Sequence, residues 1–288
     1  MIQAKYINPF TDYGFKKIFG EEASLVSLKS FLNAVLPPQH QIVDLTFKSS
    51  EFMGRKPEDR RAIFDLYCEA DSGEKFIVEL QRQKQNYFRD RSVFYSTFPI
   101  QQQAQQGVWD FKLTPVYCVA ILDFCFDKQG EEVLHKVQLK DQKNQVFYDK
   151  LTFIYLEMPN FKKAVDELET DLDKWLYFIQ NLEGLEDIPK VFTGREEFEV
   201  ALEKAAIAKL THEDYLHYEA SLKVFRDNYN TMEYQFQQGE KKGLAKGLAE
   251  GKAEGLAKGE EIGMQKALER LLATGMSETD ARQVLGLD

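Results

Sequence analysis

The chain has 288 residues, 43% hydrophobic and 29% charged, enough for one large core with appendages. Its net charge of -10 is uneven: residues 1–125 carry 15 basic and 15 acidic side chains, and residues 126–288 carry 22 and 32. This balance excludes bulk attraction to nucleic acid through a basic surface, though not a local basic groove in the first half. No apolar run approaches the roughly eighteen residues of a membrane span, and the N-terminal "MIQAKYINPF" lacks the apolar centre of a secretory signal. Cys68, Cys118 and Cys125 lie in apolar strand-like runs, as expected of reduced thiols in a cytoplasmic protein. The histidines, His40, His135, His212 and His217, are scattered and form no zinc pattern with the cysteines.

In chain order, residues 12–36 read as helix. Phe15, Ile18 and Phe19 share a face, Leu25, Leu28, Phe31, Leu32 and Val35 continue it, and Pro37-Pro38 stops it. A strand is expected near 41–49, then a polar loop or strand extension, "EFMGRKPEDRR". Two strands at about 61–70 and 75–82 form a hairpin turning at Ser72-Gly73. Residues 86–106 read as a helix with Pro99 expected to kink it, and "TPVYCVAILDFCF" as a fully buried strand. Another strand is expected at 145–157. From about 160 the pattern is helical, with Val165, Leu168, Leu172, Trp175, Leu176 and Ile179 near one face, and further helices at about 195–210 and 212–236.

The hairpin raises a question of chemistry. Asp65 and Glu79 sit mid-strand in apolar surroundings, where an unpartnered carboxylate costs several kcal/mol or is driven to protonate. Strand alternation puts Ile63, Asp65 and Tyr67 on one face, and Ile77, Glu79 and Gln81 on one face. If the register sets Asp65 beside Glu79, two hard oxygen donors and an amide converge. That pattern suits Mg²⁺, which commonly takes one or two carboxylates and keeps several waters. The competing structural reading has these acids facing solvent at a sheet edge or pairing with Arg60, Arg61 or Arg82.

The element order together with Asp65 and Glu79-Leu80-Gln81 resembles the PD-(D/E)XK nuclease superfamily. More narrowly, "INPFTDYGFKKIFG", "AIFDLYCE", "FIVELQRQ" and "DRSVFYSTFPIQQQ" resemble the Rpn-type recombination-promoting nucleases, also called PD-(D/E)XK family transposases, over about residues 5–235. The resemblance implies an α/β, restriction-endonuclease-like core, a mixed sheet flanked by helices, at 1–158. A helical extension would follow at 159–236 and a helical or flexible tail at 237–288. It implies a metal-dependent DNA endonuclease linked to mobile elements, recombination or phage defence. Asp65 and Glu79 would hold Mg²⁺ (or Mn²⁺), and Asp65, Glu79, Gln81 and Asp12 would form the catalytic set. Gln81 stands where the superfamily commonly has Lys, and Phe64 rather than Pro precedes Asp65. Lysine offers a cation at the phosphate and glutamine only dipoles. Asp12 reads equally as a helix cap. Candidate DNA contacts are Lys16, Arg60, Arg61, Arg89, Arg91, Tyr95 and Gln102, with Lys17, Arg55, Lys56, Gln101 and Gln103 nearby.

The alternative from a different class is a catalytically inactive nuclease-fold protein that binds DNA or assembles. It is motivated by Gln81, the acidic charge and the tail. A strand-joining transposase is implied only by the family's second name, and no separate triad of acids can be placed for it. In the tail, a glycine recurs every four residues from Gly239 to Gly263. In a helix these glycines form a slowly winding stripe, advancing about 40° per step. Each glycine costs about 1 kcal/mol relative to alanine, so the stripe calls for a packing partner. Residues 264–285 read as two short helices with Ser277 as an N-cap, similar to part of a helix-turn-helix. The second helix is acidic, with Glu278 and Asp280, which favours homo-oligomerisation of the tail over DNA reading.

Overall fold

The computed structural model describes residues 4–37, 40–52, 62–127 and 130–287. The chain forms two compact units, residues 1–225 and 226–288. The first is built on a sheet of six strands: β1 (Leu45–Phe47), β4 (Leu66–Ala70), β5 (Lys75–Gln81), β6 (Val116–Leu122), β8 (Val146–Glu157) and β7 (Leu134–Lys140), in that spatial order. β5, β6 and β8 run parallel, while β1, β4 and β7 pair antiparallel. A separate two-stranded ribbon joins β2 (Glu51–Phe52) to β3 (Ala62–Ile63).

β6 is buried along its whole length, which is why its sequence VYCVAIL is continuously apolar rather than alternating. Both sheet faces are covered. One face, with Leu66, Cys68, Phe76, Val78, Tyr117, Val119 and Ile121, packs against α1 (Asp12–Phe19), α2 (Leu25–Val35), α4 (Asp171–Asn181) and α5 (Glu196–Ala205). Trp175 anchors this side, fully buried against Phe19, Phe31, Phe178 and Phe198, with its indole N–H donating to Ser30 Oγ at 3.1 Å. The other face, with Tyr67, Ile77, Cys118, Ala120, Phe153 and Tyr155, packs against Phe88, Tyr95 and Phe98 of α3 (Phe88–Gln101), which contains Pro99. This is the mixed sheet flanked by helices that the sequence led us to expect. Cys68 and Cys118 are buried free thiols, and Cys125 is free and partly exposed.

Three local differences from the sequence reading have physical causes. The single helix expected over 12–36 breaks after Phe19, and a short 3₁₀ turn at Glu22–Ser24 leads into α2. Gly20 ends α1 against the sheet, where a Cβ would come within 2.8 Å of Leu66 Cδ2. β7 is a strand the sequence reading did not assign. It is an edge strand, polar and largely exposed, and Lys136 and Lys140 are the kind of charges that keep such edges from pairing further. Finally, the first of the two short tail helices is the end of a longer element: α6 runs from His212 to Ala273, followed by α7 (Glu278–Leu285).

The second unit comprises the remainder of α6 and α7. Ser277 caps α7, with its Oγ accepting from Asp280 N–H at 3.2 Å. All the repeating glycines from Gly239 to Gly263 are helical, and beyond the helix's own neighbouring backbone a Cβ on any of them would meet no described atom within 4 Å. Among the described residues, no helix is long and apolar enough to cross a membrane.

Candidate active site

The hairpin β4–β5 places the two acids. Its register sets Tyr67 opposite Ile77 and Leu66 opposite Val78. One step further, Asp65 faces Glu79, and there the ladder gives way to side-chain bonds. Asp65 N–H donates to Glu79 Oε1 at 3.3 Å, and Leu80 N–H donates to Asp65 Oδ2 at 2.7 Å. The break between β3 and β4 at Phe64-Asp65 frees these backbone donors from strand pairing, and fully buried Phe64 pins the break into the core. Gln81 lies two residues beyond Glu79, and its Nε2 donates to Glu79 Oε2 at 3.2 Å.

The electrostatics are those of two anions crowded together. Burial raises the proton affinity of Asp65 above the ordinary carboxylate range, opposed by the bond from Leu80. Burial, and then the charge of Asp65, push Glu79 up as well. Among the described residues, no Lys, Arg or His nitrogen lies at ion-pair distance from either acid. Four charged groups act on the pair from further away: Lys16, Asp12 and Arg82 on Asp65, and Arg91 on Glu79.

Asp12 reaches this neighbourhood through the turn before α1. Thr11, not Asp12, is the N-cap, with its Oγ1 accepting from Gly14 N–H at 2.9 Å. The turn is tight: a Cβ at Gly14 would lie 2.1 Å from the carbonyl oxygen of Asn8, so only glycine fits. Asn8 is tied to α6 by its N–H, which donates to Tyr218 Oη at 3.0 Å. Asp12 thus starts the helix and pairs with Lys16 at 3.0 Å, one turn on.

The remaining candidates divide. Arg91 and Tyr95 lie on the sheet-facing side of α3, and Tyr95 packs edge-on to Phe64 at 5.3 Å. Arg89 is exposed, with its guanidinium over the Phe126 ring at 4.5 Å. Gln102 sits past the far end of α3, where its Oε1 accepts from Tyr67 Oη at 3.4 Å, in a polar pocket with Lys48, Glu69 and Lys75. It is therefore placed with the opposite end of β4. Arg60 and Arg61, like Arg55 and Lys56, lie outside the described residues.

The sequence reading missed Asp123, and weighed Arg82 only as an ion-pair partner. Asp123 follows β6 at the carboxyl end of the parallel strands, where ligands of open α/β sheets gather. It is held beside the site by its N–H, which donates to Gln81 O at 2.9 Å. The signal was available: it is the first polar residue after a continuous apolar strand. Arg82 extends over the Phe225 ring at 5.8 Å, and its buried Nη1 has no hydrogen-bond partner among the described residues.

The donor set fits a divalent cation. Two carboxylates that repel one another and are partly desolvated gain most from a hard cation between them. Among the described residues, no cluster of three or more His, Cys, Asp and Glu side chains could hold a metal ion.

Comparison with curated proteins and with solved structures yields no match. The family profile of the PD-(D/E)XK nuclease family transposases does match, over residues 9–235, a span holding α1, the hairpin with Asp65 and Glu79, and α3. The chain therefore belongs to that nuclease family.

Proposed function

We propose that this protein is a divalent-metal-dependent DNA endonuclease that hydrolyses phosphodiester bonds, with Asp65 and Glu79 as the metal-holding pair. The observation that carries the reading is the convergence of the two half-buried acids, each with raised proton affinity and neither with an ion-pair partner among the described residues. A structural carboxylate is normally neutralised by its surroundings, whereas this pair is left to be neutralised by something bound. Bound Mg²⁺ or Mn²⁺ would supply charge neutralisation at the phosphate and lower the pKa of water.

The chain's own residues hold and orient. The backbone N–H groups of Asp65 and Leu80 fix one oxygen of each carboxylate. Gln81 donates its amide N–H to Glu79, which leaves its carbonyl oxygen as an acceptor for a water O–H. In the reaction, the water oxygen–phosphorus bond forms and the phosphorus–oxygen bond to the leaving sugar breaks. Glu79 or Gln81 orients the water, whose proton passes to solvent, and the departing oxygen takes a proton from solvent. Exposed Lys16 and Arg89 serve as contacts to flanking phosphates. The family points to a setting in mobile elements, recombination or phage defence.

The test is nicking of a supercoiled plasmid by the purified chain with Mg²⁺, Mn²⁺, Ca²⁺ or EDTA, beside Asp65→Ala. The expected result is cleavage with Mg²⁺ or Mn²⁺, absent in EDTA and in the variant. No cleavage with any metal overturns the reading in favour of a catalytically inactive, nuclease-fold binding protein, the reading Gln81 favours.

The tail at 237–288 is proposed to assemble copies of the chain. Beyond the helix's own backbone, a Cβ on each glycine of its stripe would meet no described atom within 4 Å, and Leu244, Leu248 and Leu256 are 75%, 74% and 59% exposed. Truncation after Phe236 is expected to lower the number of chains per particle measured by light scattering, and an unchanged number rejects the assignment.

A further inference from the structure

We propose that Arg91 is a catalytic residue, supplying from α3 the positive charge beside the scissile phosphate that a lysine at position 81 would supply. The inference rests on the nuclease reading above and adds to it the source of the missing cation.

Phe88, Arg91, Ser92 and Tyr95 recur at helical spacing and form the stripe of α3 that faces the sheet. Phe88 is buried and packs edge-on to Tyr155 at 6.0 Å. Ser92 Oγ and Tyr155 Oη are hydrogen-bonded at 2.9 Å. Arg91 is thus part of a packed face, whereas its neighbours Arg89 and Asp90 are exposed. With Tyr95, Tyr155 and Cys118 it lines a narrow space that also contains Glu79. Gln81 shares the sheet face of Glu79 by strand alternation, so Arg91 approaches the side from which a lysine at 81 would act.

The guanidinium is also held in place. Its Nη1 donates to Gln85 Oε1 at 2.6 Å, and it lies over the rings of Phe88 at 5.4 Å and Tyr95 at 5.7 Å. One hydrogen bond uses one of several donors. Among the described residues no carboxylate stands at ion-pair distance, although Glu79 feels its charge. Without a direct counter-ion, the remaining N–H donors of Arg91 are open to an anion. Arginine suits a phosphate because its planar fork can bind two oxygens at once. It keeps its proton throughout, so Arg91 contributes charge and orientation and the proton balance given above is unchanged.

The experiment uses the full chain and the variants Arg91→Gln, Arg91→Met, Arg91→Lys, Gln81→Lys and Arg91→Gln/Gln81→Lys. Each is checked for a folded circular-dichroism spectrum and a cooperative melt. Single-turnover cleavage at saturating DNA is measured with Mg²⁺, and DNA affinity is measured separately with Ca²⁺. For Arg91→Gln the expected fall in the saturated rate is about 100-fold, the scale of losing one charge-stabilising donor. Its DNA affinity is expected to change far less. Gln81→Lys placed on Arg91→Gln is expected to restore the rate by about tenfold, since it returns a cation to the same face. Loss of affinity with an unchanged saturated rate would show that Arg91 only grips DNA and overturns the inference, as does absence of any rescue. Should Arg91→Gln fail to fold, Arg91→Met decides: a saturated rate equal to wild type overturns the proposal, and a reduced saturated rate with intact DNA affinity, with Arg91→Lys keeping more of the rate than Arg91→Met, upholds it. If wild type itself does not cleave, the nuclease reading is what has failed. Mn²⁺ titration then judges the placement of Arg91. Tighter Mn²⁺ binding by Arg91→Gln, by roughly tenfold for one like charge removed, upholds its position at the acid pair, and unchanged binding overturns it.

Discussion

The two ends of the β4–β5 hairpin carry acids that look alike in the sequence and are treated oppositely by the fold. At the turn end, Glu69 has Lys75 within 3.5 Å and Lys48 within 3.7 Å. At the open end, Asp65 and Glu79 face one another without a cation in contact among the described residues. The Glu69 end is a closed account: its charge is balanced by side chains already present. At the Asp65–Glu79 end no described side chain in contact does so, and a bound cation or a proton can. A carboxylate in a strand is therefore informative about function through its partners rather than its position.

The sharpest way to break this comparison is to remove acids at each end. Asp65→Ala and Glu79→Ala are expected to lower metal-dependent plasmid cleavage below about a thousandth of wild type, at or beyond the upper end of what losing one charge-stabilising donor costs. Glu69→Gln is expected to cleave as wild type and to cost at most about 1 kcal/mol in urea denaturation, the scale of partly exposed ion pairs. Equal losses of activity at both ends would show that the fold does not treat the two ends differently.

Metal-linked stability gives a somewhat smaller effect. At a Mn²⁺ concentration about 100 times its dissociation constant, folding is expected to gain about 2.7 kcal/mol. Asp65→Ala should lose that gain while keeping the metal-free stability of the rest of the fold. A gain of equal size in the variant would place the cation elsewhere.

The smallest effect is the pH trend without metal. Because burial and Asp65 raise the proton affinity of Glu79, the folded chain holds this proton more tightly than the unfolded chain. The resulting stabilisation is complete below the ordinary value of 4.5 and is lost as pH rises through the raised folded value. Glu79→Gln cannot lose that proton. In EDTA its melting temperature is expected to gain on wild type steadily as pH increases from the acid side. A difference that is flat with pH would show that Glu79 is not strained by its surroundings.

Much of this was legible in the linear sequence because it depends on local rules. Alternation in "AIFDLYCE" and "FIVELQRQ" put each acid on a face, and the continuous apolar run of β6 marked a central strand. The motifs carried the family. What was not legible depends on exposure or on distant partners. β7 escaped because an edge strand open to water needs no apolar alternation. Asp12 could be read as cap or site acid until the turn at Asn8–Gly14 gave the cap to Thr11.

By itself the sequence determined the α/β alternation, the pair of acids and the glycine period, since each is a matter of spacing along one chain. The tertiary structure alone decided that Asp65 meets Glu79 through two backbone N–H groups and that Glu69 is neutralised while they are not. It also decided that Arg91 lies on the sheet-facing stripe of α3, lining one narrow space with Glu79, while Arg89 is exposed. Those outcomes depend on which elements pack against the hairpin. Charge compensation acts across a few ångströms of space between residues that the sequence keeps far apart.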